Sequence, residues 1–377
     1  MKPLSSLVYY TRNRKKLALL ASPVLLCTAV IFLIQSMISS YLNAQYSAFV
    51  ETRKYYTSIQ ARGNPIDPGV LDAITQNENT EKVVPCVQDY TEMSSLLDVV
   101  GVRVYHLQRG DITELMGRMG IRLTEGRLPE PGRSEIVLHR AVAVNKNLTV
   151  GSEIGNELDP RERLLGRYTV VGLVEGPALC GFTPLETWQA KVRIAKPQEY
   201  GVLVYARPGR LEELNRFLQY LPLTGNELSS YDTSSDSILE QENKINLLLN
   251  IIYVALLAII MLCVGFLTYL FTINRAREFA ILNIIGYTRR RILETNLLAV
   301  GIISLAAAVF GALLSMAVCA ALNAAVFART GIPLPLLDGR TLLLCACVPL
   351  LSVIAEALAV ARAFGSMDAI SLLDSEN

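Results

Sequence analysis

Four apolar stretches, each long enough to cross a lipid bilayer, constrain this chain more than any other feature of its sequence. A helical span needs about 20 apolar residues, and a helix that is apolar on every face is buried in lipid or in protein. The stretches lie at residues 17–39, 251–273, 297–327 and 341–361. The first is longer than the apolar core of a signal peptide, and residues 41–46 contain no small-residue cleavage pattern, so we expect it to be retained as a span.

The distribution of charge predicts how the spans are oriented. Residues 41–244 contain 22 basic and 27 acidic residues, whereas the rest of the chain contains 13 and 7. Five basic residues precede the first span, and five more lie between the second and the third. Because positive charge near span ends is retained in the cytoplasm, we expect both termini and the second-to-third loop inside and residues 41–244 outside.

The predicted fold class is therefore membrane α-helical, with four transmembrane helices arranged one plus three and a large extracytoplasmic α+β domain between helices 1 and 2. The expected parts are a cytoplasmic amphipathic elbow helix (1–16), the first span (17–40), the outer domain with a helical stalk (41–244), the second span (245–273), a cytoplasmic segment (274–292), the third span (293–327), an outside loop (328–340), the fourth span (341–361) and a cytoplasmic tail (362–377).

Short periodic runs support the domain assignment. Within residues 41–244, helical and strand-like runs alternate, and a central part carries short strand candidates, among them Ala141–Val144. This pattern predicts an α+β domain with an all-β insertion. The spacing of Ser237 and Glu240 is that of a capping box, which places a helix start outside the membrane. Before the first span, helical spacing predicts a short helix on the inner leaflet or, alternatively, a disordered basic tail, and the residues concerned are Leu4, Leu7, Val8 and Thr11.

The sequence lacks the signatures of several enzyme classes. No Gly-Lys dipeptide occurs, so there is no phosphate loop for ATP hydrolysis. Cys345 and Cys347 point to different helix faces with no histidine nearby, and the two histidines have no metal-ligand spacing. We therefore expect no catalytic, cofactor-binding or metal-binding residues in this chain, and no nucleic-acid partner. Cys86 and Cys180, in the outer domain, could form one disulfide or remain two buried thiols.

Two features inside the spans predict local packing. Glu356 is the one carboxylate within a span, and we expect it near the cytoplasmic end of that span, snorkelling or paired with a neighbouring group. In the third span, small residues four apart permit close helix packing, within the chain or between subunits; they are Ala307, Gly311 and Ser315.

The segment from Asn274 to Ile292 has the most specific pattern in the chain. Its charged residues, Arg275, Arg277 and Glu278, predict the polar face of a short amphipathic helix. The apolar face is expected to contain Phe279, Leu282 and Ile285 with Ile281 beside them, and Gly286 suits a C-terminal cap. A helix of this kind between two spans is well placed to dock on a cytosolic protein.

This segment resembles the coupling segment of MacB/FtsX-type (type VII) ABC transporter permeases. The matching residues are Arg275, Arg277, Glu278, Ile281, Leu282, Gly286 and Arg289, and Arg290 continues the basic run. The outer domain is also similar to the MacB-like periplasmic core domain of that family, through the segments Glu125–Pro129, Ser134–Val137, Val150–Ser152 and Tyr168–Val174.

The resemblance implies a permease subunit in a bacterial cytoplasmic (inner) membrane. It implies a dimer with a second permease subunit and a cytosolic ABC ATPase dimer, which binds ATP and Mg²⁺ and whose motion is relayed to the outer domains. Substrates in the family include peptides, antibiotics, lipoproteins and lipids, and some members work with a membrane-fusion adaptor. The alternative is a relay that moves no cargo and regulates a cell-wall hydrolase or a sensor.

The tail departs from the family pattern. Residues 367–374 lack the proline and the final arginine usual there, and Ala369 and Asp374 stand in the altered part. A subunit that no longer serves both halves of a symmetric dimer can lose such residues. The departures therefore favour a heterodimer as one hypothesis, against the homodimer that is the default for membrane dimers.

Overall fold

The helices of the computed structural model follow the apolar stretches but extend beyond them. The structure describes residues 6–62, 64–95, 98–193, 196, 199–223, 225–327 and 330–365. The helices are α1 (Ser6–Arg12), α2 (Arg14–Phe49), α3 (Pro68–Gln76), α4 (Arg109–Arg118), α5 (Arg140–Asn145), α6 (Leu185–Val192), α7 (Leu211–Gln219), α8 (Tyr231–Ile273), α9 (Ala276–Ile284), α10 (Arg289–Ala325) and α11 (Gly339–Gly365). Four of them, α2, α8, α10 and α11, are long and apolar enough to cross a membrane.

The chain divides into two compact units. The helical unit comprises residues 1–37, 245–322 and 334–377, and the α+β unit comprises residues 38–244 and 323–333. The last twelve residues of α2 and the first fourteen of α8 therefore belong to the α+β unit. The altered tail at Ala369 and Asp374 lies outside the described residues, as does Leu4.

The start of α8 differs from the sequence prediction. The helix begins at Tyr231, six residues before Ser237. The backbone N–H of Thr233 donates to Ser230 Oγ at 3.3 Å, so Ser230 caps the first turn. Ser237 lies inside the helix and donates its hydroxyl to Thr233 O at 2.8 Å. Both serines have a capping residue's chemistry, and the earlier one satisfies the free N–H groups first.

A four-stranded antiparallel sheet forms the first layer of the α+β unit. Its strands run in the order β11-β1-β10-β2, where β1 is Thr57–Ala61, β2 is Thr80–Pro85, β10 is Gly201–Ala206 and β11 is Asn226–Ser229. The apolar side of the sheet packs against α3 and α7 in one cluster of buried residues: Ile59, Ile66, Val70, Ile74, Val202, Val204, Leu214 and Leu218.

A second sheet of seven strands forms the rest of this unit. Its strands are β3 (Val87–Ser94), β4 (Val99–Leu107), β5 (Arg122–Gly126), β6 (Glu135–His139), β7 (Glu153–Ile154), β8 (Tyr168–Glu175) and β9 (Cys180–Pro184). Their order is β3-β4-β9-β6-β8-β5, with β7 paired to β8. The pairs β4 with β9 and β6 with β8 are parallel. Parallel neighbours need a long crossover connection, so helices accompany this sheet.

The expectation of an all-β insertion was therefore wrong in one element. Ala141–Val144, predicted as a strand, lies within helix α5. The His139 ring accepts a hydrogen bond from the backbone N–H of Ala141 at 3.2 Å and caps that helix. A short apolar run has no period that separates strand from helix, and here the connection between two parallel strands decided it.

A loop between α10 and α11 belongs to the α+β unit. Asn145 at the end of α5 donates from Nδ2 to Ser94 O at 2.8 Å and to Thr330 O at 2.7 Å. Gly331 has a φ of +70°, and a Cβ at this position would lie 2.3 Å from Ala141 O. Only glycine fits this close approach, so the backbone of the loop at Gly331 packs directly against the backbone of α5.

Candidate ATPase-coupling site

The short helix α9 and the chain that enters and leaves it form the candidate site. The helix ends in a Schellman motif, in which Tyr287 N–H donates to Leu282 O at 3.1 Å and Gly286 takes a φ of +102°. The positive φ explains why glycine stands at this position. The turn reverses the chain before α10 starts at Arg289, whose side chain lies outside the described part of the structure.

The apolar residues of α9 are divided between two environments. Phe279 is buried and Leu282 is half-buried. In contrast, Ile281, Ile284 and Ile285 are 47%, 66% and 67% exposed. Ile285, expected on the same apolar face as Phe279 and Leu282, follows the last helical residue and is exposed. Together with Arg277 and Glu278, which are also exposed, these isoleucines form a mixed apolar and charged surface.

Arg275 was expected on the polar face of this segment but is only 9% exposed. Its Nε donates to Glu278 Oε2 at 2.8 Å. Its guanidinium carbon lies 4.0 Å from the centre of the Tyr9 ring and 4.8 Å from that of Phe279. A guanidinium bound between two ring faces is attracted by their π electrons, so Arg275 fastens α9 to α1 instead of facing solvent.

The elbow helix α1 completes the site. The Tyr9 hydroxyl receives a hydrogen bond from Lys16 Nζ, which lies 5.0 Å from the centre of the same ring. Tyr10 is 1% exposed, and its ring centre lies 6.5 Å from that of Phe271 near the end of α8. The segment before the first apolar stretch is therefore helical, and its aromatic residues connect the ends of α2, α8 and α9.

The basic run after Gly286 is more loosely held. Arg290 Nε donates to Glu294 Oε1 at 2.9 Å across one turn of α10, and both side chains are exposed. Exposed pairs of this kind contribute between zero and about 1 kcal/mol. Arg290 and Glu294 are therefore free to exchange this contact for one with a partner.

The small residues of α10 pack within the chain. A Cβ at Gly311 would lie 2.8 Å from Leu25 O and 3.3 Å from Thr28 Cβ. Ser315 Oγ donates to Gly311 O at 2.9 Å and approaches Ala29 O at 3.4 Å, and Ala307 is buried. These small residues therefore let α10 approach α2 of the same chain closely.

Glu356 is fully buried in α11. Ser304 Oγ donates to Glu356 Oε1 at 3.1 Å, and Oε2 has no hydrogen-bond partner among the described residues. No basic nitrogen of the described residues lies within 4.0 Å of this carboxyl group. The side chain therefore faces a neighbouring helix and does not snorkel.

The cysteines and histidines of the α+β unit are buried. Cys86 and Cys180 are free thiols in one apolar cluster, and burial raises the pKa of each. His106 contacts Thr183 Oγ1, and burial lowers the pKa of His106 and of His139. Among the described residues, no group of three or more His, Cys, Asp and Glu could hold a metal ion.

The candidate site lies in the part of the chain that matches a known protein family. Residues 250–366, which include α9, α10 and α11, match the family described as FtsX-like permease C-terminal. The sequence resemblance to FtsX-type permeases is confirmed over these residues. No curated protein matches the chain.

Two solved structures are similar to part of the chain. The periplasmic region of MacB from Actinobacillus actinomycetemcomitans is 14% identical, with a TM-score of 0.30, and the match covers 50% of this chain and 94% of that one. The extracellular domain of the noncanonic ABC-type transporter YknZ from Gram-positive bacteria is 10% identical, with a TM-score of 0.27, covering 46% and 100%. These low values assign no residue role and no substrate to this chain.

Proposed function

We propose that this chain, whose residues 250–366 belong to the FtsX-like permease C-terminal family, is a permease subunit that receives motion from a separate cytosolic ABC ATPase at α9. In this role the chain hydrolyses no ATP itself. The ATPase binds ATP and Mg²⁺, and the permease passes the resulting movement through α2 and α8 to the α+β unit. That unit acts outside the bacterial cytoplasmic membrane on a peptide, antibiotic, lipoprotein or lipid.

One observation carries this proposal. Three isoleucines of the α9 segment, at positions 281, 284 and 285, are about half to two-thirds exposed beside Arg277 and Glu278. Apolar contact at the centre with charge at the rim is the usual composition of a protein interface. The basic excess of the segments flanking the spans supports a cytoplasmic position for this surface, where an ATPase can reach it.

Arg275 supports the proposal through its contacts. Because its guanidinium contacts Tyr9, Phe279 and Glu278, a force on α9 also acts on α1. The neighbouring Tyr10 of α1 in turn contacts Phe271 near the end of α8. Glu278 is half-exposed, so its second carboxylate oxygen is available to a basic residue of the ATPase. The site therefore combines an exposed docking surface with a fixed connection to the membrane helices.

The test reverses the charge at Glu278. We expect Glu278→Arg to weaken binding of the partner ABC ATPase by at least tenfold, because it removes an interfacial carboxylate and places a second cation beside Arg275. Glu240→Arg is the matched control, since it removes an exposed carboxylate and its i,i+4 pair with Lys244 from the part of α8 that belongs to the α+β unit. Binding is measured by co-purification and by ATP hydrolysis of the reconstituted complex. Unchanged binding in Glu278→Arg would refute the assignment of α9.

The partner permease is tested by mass. Native mass determination of the complex, after co-expression with the ATPase and any neighbouring permease, distinguishes two copies of this chain from one copy with a sister subunit. The altered tail favours the sister subunit. A stable complex with two copies and no second permease would contradict the heterodimer.

A further inference from the structure

The end of α2 within the α+β unit is held entirely by protein hydrogen bonds. The last carbonyl groups of a helix have no partner within the helix and must find one elsewhere. Here Tyr46 O accepts from Val50 N–H at 2.9 Å, and Ser47 O accepts from Leu179 N–H, just before β9, at 3.1 Å. The two remaining carbonyls, of Ala48 and Phe49, accept from the Arg103 side chain, and the Thr52 hydroxyl lies 3.5 Å from each of them.

Arg103 lies in the middle of β4 and is 4% exposed. Its Nη1 donates to Ala48 O at 3.1 Å, to Phe49 O at 3.3 Å and to Thr52 Oγ1 at 3.2 Å. The guanidinium carbon lies 4.9 Å from the centre of the Phe49 ring. A cation at the carboxyl end of a helix is also favoured by the helix dipole, so Arg103 fixes the end of α2 to the seven-stranded sheet.

A second arginine connects the same region to the other sheet. Arg53, in the 3₁₀ turn Glu51–Tyr55 that follows α2, is 2% exposed. Its Nη1 donates to Ser58 Oγ in β1 and, at 3.3 Å, to the carbonyl oxygen of Ser229. Ser229 is the last residue of β11 and lies two residues before the start of α8. Its Nη2 donates to Gln88 Oε1 in β3 at 3.1 Å. Arg53 thus contacts both sheets and the chain that leads into α8.

Neither guanidinium has a carboxylate partner in the described part of the chain. No Asp or Glu oxygen of the described residues lies within 4.0 Å of Arg53 or Arg103, and the Nε atom of each is buried without a hydrogen bond. Burying a cation is costly unless its hydrogen bonds compensate, and apolar residues of similar volume would fill such a core at lower cost. Two such residues at one helix end therefore serve geometry more than stability.

We propose that Arg53 and Arg103 are positioning residues that join the end of α2 and the start of α8 to both sheets, so that the whole α+β unit follows the helices as one body. That this movement serves transport rests on the proposed function, whereas the joint itself does not. Three of these bonds go to main-chain oxygens, those of Ala48, Phe49 and Ser229, and a main-chain oxygen moves only with its backbone. Movement of the helix ends must therefore carry β1, β3, β4 and β11 with them.

The test measures whether the helix end and the sheet stay in register. Spin labels are placed at Asn43→Cys on the exposed side of α2 and at Arg122→Cys on β5, both exposed positions of the α+β unit. The full permease with its ATPase is reconstituted in lipid nanodiscs, with the exposed Cys263 and the half-buried Cys347 replaced by alanine. The distance distribution between the labels is recorded with and without ATP.

We expect a single narrow distribution, unchanged by ATP, in the otherwise unaltered chain, and a broadened or shifted one in Arg103→Met. Arg103→Lys, which keeps the cation and three donors, should restore most of the narrow distribution. Arg163→Met is the matched control, because this guanidinium is 71% exposed and pairs only with Glu92 on the surface among the described residues. If Arg103→Met fails to fold, Thr52→Val replaces it as the test variant, because it removes one hydrogen-bond acceptor of Arg103 and keeps the shape of the side chain. We expect Thr52→Val to broaden the distance distribution to a smaller extent.

A narrow distribution in both Arg103→Met and Thr52→Val would overturn the joint. The proposed function fails separately. If the unaltered complex neither binds an ATPase nor hydrolyses ATP, the coupling proposal is refuted, while the label distances in the same preparation still decide whether Arg103 fixes α2 to the sheet.

Discussion

Arg275 in the helical unit and Arg103 in the α+β unit are both buried guanidinium groups near helix ends, but they are held in different ways. Arg275 contacts two aromatic rings and one half-exposed carboxylate, all of them side chains. Arg103 donates to two main-chain carbonyls and to one hydroxyl group. Side-chain partners can change rotamer, whereas main-chain partners move only when the backbone does. The α9 site is therefore adaptable and the junction of α2 with the sheet is fixed.

The largest expected effect comes from breaking α8, the helix that ends just before α9. Ile245→Pro removes a main-chain hydrogen bond inside α8 and costs about 3 kcal/mol in a helix interior. We expect the reconstituted complex to keep hydrolysing ATP but to lose the ATP-dependent movement of the α+β unit. The movement is measured as the change, on adding ATP, in the signal of a spectroscopic label attached at Tyr220→Cys. Full movement with proline at this position would mean that the two sites work independently.

The second prediction compares the two arginines directly. Arg103→Gln removes the guanidinium donor of two helix-end carbonyls and leaves them only the Thr52 hydroxyl, at 3.5 Å. We expect a loss of about 2–5 kcal/mol of unfolding free energy. Arg275→Gln loses mainly ring contacts, and we expect about 1–2 kcal/mol. Thermal unfolding of the purified permease in one detergent ranks the two variants. Equal losses would contradict the distinction between main-chain and side-chain partners.

Two glycines of α10 apply the same distinction to helix packing. At Gly311 a Cβ would meet the main chain of Leu25, so we expect Gly311→Ala to lower stability by about 1–3 kcal/mol. At Gly301 the nearest atom is Val353 Cγ2, at 3.4 Å, and this side chain can yield. Gly301→Ala is expected to be neutral or slightly stabilising, since alanine favours a helix. A reversed order of the two unfolding temperatures would argue against the packing of α10 on α2.

The smallest effect concerns an arginine that does have a carboxylate partner. Arg127 donates from both Nη atoms to Glu135, which also accepts from Glu130 N–H, and these hydrogen bonds, led by those from Arg127, lower the pKa of Glu135. Because the folded-state pKa is below that of the unfolded chain, the stabilisation is present at neutral pH and is lost as pH falls through the lowered value. Glu135→Gln should flatten the acid side of the stability profile, while Arg103→Gln should not. An unchanged acid limb in Glu135→Gln would assign that limb to other carboxylates.

The elements that the sequence predicted well are those whose partner is lipid or the adjacent turn. The four long helices, the turn at Gly286 and most strands of the α+β unit follow from apolar length, a glycine at a helix end and alternation. Ala141–Val144 and the start of α8 were predicted incorrectly. Both depended on which nearby polar group, His139 or Ser230, capped a helix first.

The residues of the candidate site were found by pattern, but their environments were not. Arg275, Arg277 and Glu278 look alike in the sequence, and only the first is buried. Tyr9, which contacts Arg275, stands more than 260 residues away in the chain, and no local signal connects them. Arg53 and Arg103 also look like ordinary surface arginines of a mixed domain.

The sequence by itself determined the number of apolar helices, the polar segment between the first and the second, and the distribution of positive charge. These features depend on local composition, because the thickness of the hydrocarbon core sets how many apolar residues a span needs and basic residues near span ends set its orientation. The tertiary structure decided which arginines are buried, which isoleucines of the α9 segment face outward and which helix Gly311 touches. Those outcomes depend on pairs of residues far apart in the chain. Such pairs form only when the backbone of one segment offers carbonyl groups, rings or close-packed space to the side chains of another.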